Sequence, residues 1–131
     1  MEPYLLKGGT VVTPSRTFKG SVLLKDGKIE WVGTEEKTWD AIEIDVGGAY
    51  VLPGFIDVHV HGGGGACTMD GTYDAINTIS IAHAQGGTTA MIPTTYSSSP
   101  RSMFAAVQAV SEAMKKGVKG ATILGAHLEG P

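Results

Sequence analysis

Residues 51–65 read Val-Leu-Pro-Gly-Phe-Ile-Asp-Val-His-Val-His-Gly-Gly-Gly-Gly. Between Phe55 and Val60 the run is apolar apart from Asp57, with Pro53-Gly54 before it and Gly62–Gly65 after His61. That pattern predicts a short buried strand opening into a flexible loop. Strand side chains alternate between faces, so His59 and His61 share one face at the strand's C-terminal end. Two imidazoles placed that way can both reach one metal ion, and the glycines leave room beside them. Proteins built on parallel sheets carry their chemistry at that end of the strands. A pair of histidines two apart is more often surface or satisfied core; the Pro-Gly entry, the apolar strand and the glycine loop favour the metal reading.

The segments that follow explain why the sheet should be parallel. Tyr73–Gln85 carries Tyr73, Ile76, Ile79 or Ser80, and Ala82 or His83 at helical spacing, with Thr72 as N-cap and Gly86 just past the end. Thr88–Thr94 predicts a second strand. Ser99-Pro100 opens a second helix with serine as cap and proline in the first turn, and Gly117 closes it after Lys115 and Lys116. Met103, Val107, Val110 and Met114 form its expected apolar stripe. Residues 121–128 predict a third strand. The order β-α-β-α-β with short connections calls for parallel strands and right-handed crossovers.

Residues 1–50 follow another pattern. Residues 4–13 are rich in β-formers and are interrupted by Gly8-Gly9, and Asp26-Gly27 between two apolar runs is a hairpin signal, because a type I′ turn needs positive φ at both central residues. Ile42, Ile44 and Val46 alternate with Glu43 and Asp45, as in a half-buried strand. Trp39, in the connection before it, is expected to cover the sheet. The first 50 residues therefore predict a small antiparallel β unit with one face to bury.

Composition narrows the class. The chain has 131 residues and a net charge of −3, one soluble domain's worth of sequence. No basic cluster exceeds Lys115, Lys116 and Lys119, which argues against nucleic acid or anionic membrane as partner. Met1–Thr10 does not read as a signal peptide, and no apolar run approaches the ~20 residues of a membrane span. Cys67 is the only cysteine, so an internal disulfide is excluded and a reducing cytoplasm is the expected setting.

Glu129 directly follows the third predicted strand, and Gly130-Pro131 turns the chain away. Its carboxylate is expected on the same sheet edge as His59 and His61, and two imidazoles with one carboxylate are a normal donor set for zinc or non-haem iron. Pro53-Gly54-Phe55-Ile56-Asp57-x-His59-x-His61-Gly62, preceded by Lys25-Asp26-Gly27-Lys28-Ile29, resembles the opening of the amidohydrolase superfamily. His127-Leu128-Glu129-Gly130-Pro131 is similar to the signature of its N-acetylglucosamine-6-phosphate deacetylase branch, and Gly65–Asp70 fits the same branch. The resemblance spans nearly the whole chain.

The resemblance implies an α/β fold in which residues 1–52 are strands of a small β-sandwich. Residues 53–131 would be the first three strands and two helices of a (β/α)8 TIM barrel. It further implies that His59 and His61 bind one metal ion and that Glu129 binds or bridges the metal site, with zinc or iron as the cofactor. The implied reaction is hydrolysis of the acetamide of N-acetylglucosamine 6-phosphate by a cytoplasmic enzyme, a homo-oligomer when full length. Its catalytic aspartate, two more metal histidines and the groups that hold sugar and phosphate would lie beyond residue 131. Such a barrel needs roughly 250 residues. The chain is thus expected to be an N-terminal fragment that is inactive alone.

Several residues have two readings. Cys67 stands where the branch has aspartate, either as a neutral substitution or as a soft donor near the site. Gly62–Gly65 lacks the following Lys-Ser/Thr of a phosphate loop and is read as space for substrate and loop motion. His83 is read as packing or surface, and His127 as support for the ligands or a buried structural histidine. Asp57 either orients the His59 ring or bonds backbone. Two rivals to the deacetylase remain: a dihydroorotase-like cyclic amidase, a class in which a carboxylated lysine often bridges, and a non-catalytic remnant.

Overall fold

The structure, a computed structural model, describes residues 2–34 and 37–130. The chain divides into two compact units, residues 1–53 and 54–131.

The first unit is a five-stranded sheet of β1 (Tyr4–Val12), β2 (Thr17–Lys25), β3 (Lys28–Gly33), β4 (Ile42–Asp45) and β5 (Tyr50–Val51). The strand order is β3-β2-β1-β4, and β5 also pairs with β1. β1–β2 and β2–β3 are antiparallel. The sheet is mixed rather than antiparallel throughout, because β4 and β5 run parallel to β1. The β2–β3 turn has φ of 49° at Asp26 and 73° at Gly27, the two positive values that the Asp-Gly signal requires. Gly8, at φ 73°, carries a bulge where the β1–β2 register shifts. Trp39 lies over the sheet with its ring centroid 5.8 Å from that of Trp31. Leu5, Val11, Val22 and Leu23 are buried. β4 is exposed along its whole length, Ile42 and Ile44 included, so the expected half-buried strand is an edge strand uncovered on both faces.

The second unit contains β6 (Phe55–Val60), β7 (Gly62–Gly63), β8 (Ala66–Cys67), α1 (Tyr73–Gln85), β9 (Thr88–Pro93), α2 (Pro100–Lys116) and β10 (Thr122–Ile123). β6, β9 and β10 are parallel in the order β10-β9-β6, as the alternating pattern requires. Thr72 and Ser99 cap α1 and α2 by accepting from the Ala75 and Ser102 backbone N–H groups. At the end of α1 the left-handed residue is Gly87 (φ 92°), while Gly86 keeps negative φ. Val60, Ile76, Ile79, Met91, Val110 and Ile123 pack in one core with Ala109, Ala113 and Ala121. Each fully buried large side chain there, such as Ile76, contributes about 1.5–3 kcal/mol.

Three expectations change. β10 is two residues long, and its line resumes only as an isolated bridge from Thr94 to His127. α2 buries Ala106, Ala109, Val110 and Ala113, while Met114 is exposed, so small side chains let the helix lie close to its neighbours. β6 is not buried along its length: Phe55, Ile56 and Val58 are exposed and only Val60 enters the core, because β6 is an edge strand of this sheet. Among the described residues no helix is long and apolar enough to cross a membrane.

Candidate metal centre

His59 and His61 lie at and just beyond the C-terminal end of β6, and Glu129 lies beyond β10 at the same edge. His59 Nε2 is 3.0 Å from His61 Nε2 and 3.0 Å from Glu129 Oε2, and His61 Nε2 is 2.9 Å from the same oxygen. The two histidines and the glutamate thus converge although 70 positions separate His59 from Glu129. All three side chains remain nearly half exposed.

The donor set fits a divalent cation on two grounds. Edges of about 3 Å are those of neighbouring donors bound some 2.0–2.2 Å from one ion. The triangle also cannot be satisfied by hydrogen bonds alone. Each neutral imidazole has at most one Nε2 proton, pointed at one acceptor, and an ionised carboxylate has none, so two neutral rings close at most two of the three edges. A cation facing all three lone pairs removes the conflict.

The surrounding backbone is tied by residues whose part was not apparent from sequence. Val60 N–H donates to Thr94 Oγ1 (2.9 Å), and Thr94 N–H donates to Val60 O (2.7 Å). Thr68 N–H donates to His61 O (2.7 Å), and Thr68 Oγ1 to Val60 O (3.2 Å). Glu129 N–H donates to Thr95 Oγ1 (3.3 Å), which places the carboxylate-bearing residue. Thr68, Thr94 and Thr95 are fully buried. Their only sequence signal is polar residues at the ends of apolar segments.

The ambiguous residues take definite places. The His127 ring meets the His59 ring edge-on, centroids 4.8 Å apart, and its Nδ1 lies 3.3 Å from Val58 O. Asp57 Oδ1 accepts the His59 backbone N–H at 3.1 Å, so the carboxylate holds backbone. Gly62–Gly65 is an ordered hairpin rather than an open loop: β7 pairs with β8, and Gly64 and Gly65 turn with φ of 62° and 85°. A Cβ at Gly62 would lie 2.4 Å from Ala66 O, so the glycine permits close backbone approach. Cys67 lies outside the converging donor group. Its sulfur instead faces Tyr96, where its charge and its hydrogen bond hold the phenol above its ordinary value of 10.0. The Tyr96 ring stands 6.0 Å from that of His61.

Known proteins agree with this architecture. The chain is 39% identical over 107 residues to N-acetylglucosamine-6-phosphate deacetylase from Vibrio furnissii, covering 82% of the chain and 27% of that protein. It is 37% identical over 136 residues to the deacetylase of that name from Bacillus subtilis (strain 168), covering 99% and 34%. The crystal structure of N-acetylglucosamine-6-phosphate deacetylase from Pasteurella multocida superposes with a TM-score of 0.87 at 25% identity, covering 98% of the chain and 34% of that structure. The chain therefore spans about a third of the length of the relatives it matches. A model of the amidohydrolase family matches residues 50–131, the segment that carries β6, both helices and all three converging donors, and the chain belongs to that family.

Proposed function

We propose that this chain supplies His59, His61 and Glu129 as ligands of the divalent-metal centre of an enzyme that hydrolyses the acetamide of N-acetylglucosamine 6-phosphate, giving glucosamine 6-phosphate and acetate. The observation that carries the reading is the meeting of two imidazole nitrogens and one carboxylate oxygen within about 3 Å of one another. The relatives' names supply the substrate class. Zinc and iron are the metals this donor set suits. In the same reading residues 1–52 belong to a β-sandwich and residues 53–131 to the opening of a (β/α)8 barrel, in a cytoplasmic, homo-oligomeric enzyme.

Bound there, a divalent ion would lower the pKa of a water molecule and polarise the amide carbonyl. The chain's own residues orient the donors. His127 limits rotation of the His59 ring by its edge contact. Thr68 fixes the His61 carbonyl, and Thr95 fixes the Glu129 backbone. Proton transfer to the leaving amine is assigned to an aspartate beyond residue 131. Glu129 favours the deacetylase over a cyclic amidase, since the branch resemblance gives the bridging role to glutamate.

Exchanging this chain for the matching third of the Bacillus subtilis relative tests the proposal. The exchanged enzyme is expected to release acetate from N-acetylglucosamine 6-phosphate, and His59→Ala or Glu129→Gln to remove that release together with bound metal. A folded, metal-loaded exchange that releases no acetate, or whose release survives both substitutions, refutes it.

A further inference from the structure

Within the second unit, one imidazole outside the donor triangle bonds the backbone directly after the His-x-His segment. His83 projects from the last turn of α1, with its side chain about three-quarters buried at 26% exposure. Its Nε2 lies 3.1 Å from the carbonyl oxygen of Gly62, the residue after His61. A carbonyl only accepts, so Nε2 carries the proton and the tautomer is fixed by this contact. Its Nδ1 faces Asp57 Oδ2 at 4.0 Å, and the other oxygen of that carboxylate accepts the backbone N–H of His59. The hairpin is shaped to admit this ring: a Cβ at Gly63 would stand 3.0 Å from His83 Nε2. Around the segment the Val58, Val60, His61 and Gly62 carbonyls are each held from outside the His-x-His stretch, by His127, Thr94, Thr68 and His83 respectively. His83 supplies the side-chain hydrogen bond from helix α1 to this backbone.

We propose that His83 is a positioning residue of the metal centre: by donating from Nε2 to the Gly62 carbonyl it fixes the backbone directly after His61, and so the direction in which His61 presents its Nε2 atom. The inference rests on the metal-centre reading and extends it to a residue that contacts none of the three donors. Groups that orient metal ligands through one intermediate typically cost about 10–100-fold in metal affinity when removed.

Cobalt(II) titration of the exchanged full-length enzyme, followed by visible absorption, tests it without recourse to turnover. His83→Leu is expected to weaken cobalt binding about 10–100-fold and to alter the absorption band. His83→Gln keeps an N–H donor at the reach of Nε2 and is expected to restore both, within about threefold of the parent enzyme. Gly63→Ala, which leaves His83 in place but crowds its ring, is expected to weaken binding as well. Thermal unfolding of the metal-free variants reports on packing separately. Unchanged affinity and spectrum in His83→Leu overturn the inference while the metal centre stands. Weakened binding that His83→Gln fails to restore, alongside a fall in metal-free stability, makes His83 a packing residue and also overturns it. A folded parent enzyme of this exchanged form that takes up no cobalt, or binds it equally well as His59→Ala, overturns the metal reading and this inference with it.

Discussion

The substitution Thr94→Val isolates one hydroxyl beneath the candidate centre. Thr94 is fully buried, and its Oγ1 stands between two β-strand backbones. It accepts from Val60 N–H at 2.9 Å and donates to Ile92 O at 3.2 Å. The β6–β9 register shifts between Asp57 and Val60, and the hydroxyl adds a side-chain link to the strand pairing beside that irregularity. Valine keeps the shape and removes both bonds, depriving a buried N–H of its side-chain acceptor, at a cost of about 1–3 kcal/mol. For a chain of 131 residues, an unfolding entropy of about 2.1 cal/mol/K per residue converts this to a fall in Tm of about 4–11 °C. Thr94→Ser keeps the hydroxyl and loses one methyl, which costs about 0.8 kcal/mol or about 3 °C. Thermal unfolding by circular dichroism, with denaturant unfolding as a second measure, reads the difference. If Thr94→Val is as stable as the parent, or if Thr94→Ser is the weaker of the two, the hydroxyl is not supporting the ladder and the reasoning fails.

Three further outcomes follow from the same contacts. Gly27→Ala meets no atom within 4 Å but must adopt φ of 73°, so it should cost about 1–2 kcal/mol of pure backbone strain in denaturant unfolding. Gly120→Ala would place a Cβ 2.2 Å from Ser80 O in α1; a loss near the upper end of the usual 1–3 kcal/mol range for overpacking is expected, and a neutral result would contradict the close approach of that loop to the helix. Cys67→Ala should leave metal stoichiometry unchanged, measured by elemental analysis, and bring the Tyr96 phenol back toward 10.0 in an ultraviolet titration. The sign is fixed by linkage: with the folded value raised, the unfolded chain loses the proton first, so stability falls as pH rises above about 10, and the alanine variant should lose that alkaline slope.

The parts of this molecule that announce themselves in sequence are those governed by local chemistry. Asp26-Gly27 specifies a turn because two consecutive residues must take positive φ, and Ser99-Pro100 specifies a helix start because both residues suit one end of a helix. The His-x-His and Glu129 donors are legible because strand parity fixes a shared face and the β-α-β-α-β order fixes a shared edge. What was not legible depends on partners far along the chain. The parallel pairing of β4 with β1 is not encoded in the alternation of Ile42 and Ile44, which looks the same in either direction. Exposure of Phe55, Ile56 and Val58 depends on the neighbours of β6, and the apolar run alone does not supply them. The alanine face of α2 is masked in the sequence by a stripe of larger apolar residues, Met103 to Met114, which gives a stronger periodic signal.

The parts played by the supporting residues are hard to read for a different reason, which bears on how the centre works. A strand that leaves its sheet at the site loses regular ladder partners there, so its carbonyls and N–H groups must find side-chain donors and acceptors elsewhere. Here those are Thr68, Thr94, His83 and His127, drawn from the segment after β8, the end of β9, the helix between them and the line beyond β10. His127 shares a motif with Glu129, but Thr94 and His83 share none with the donors, because each is chosen by hydrogen bonds to backbone atoms. The direction of a ligand ring depends on its own Cα and therefore on these bonds. The donors can be named from spacing, whereas the residues that aim them emerge only when every backbone group from Val58 to Gly62 is followed to its partner.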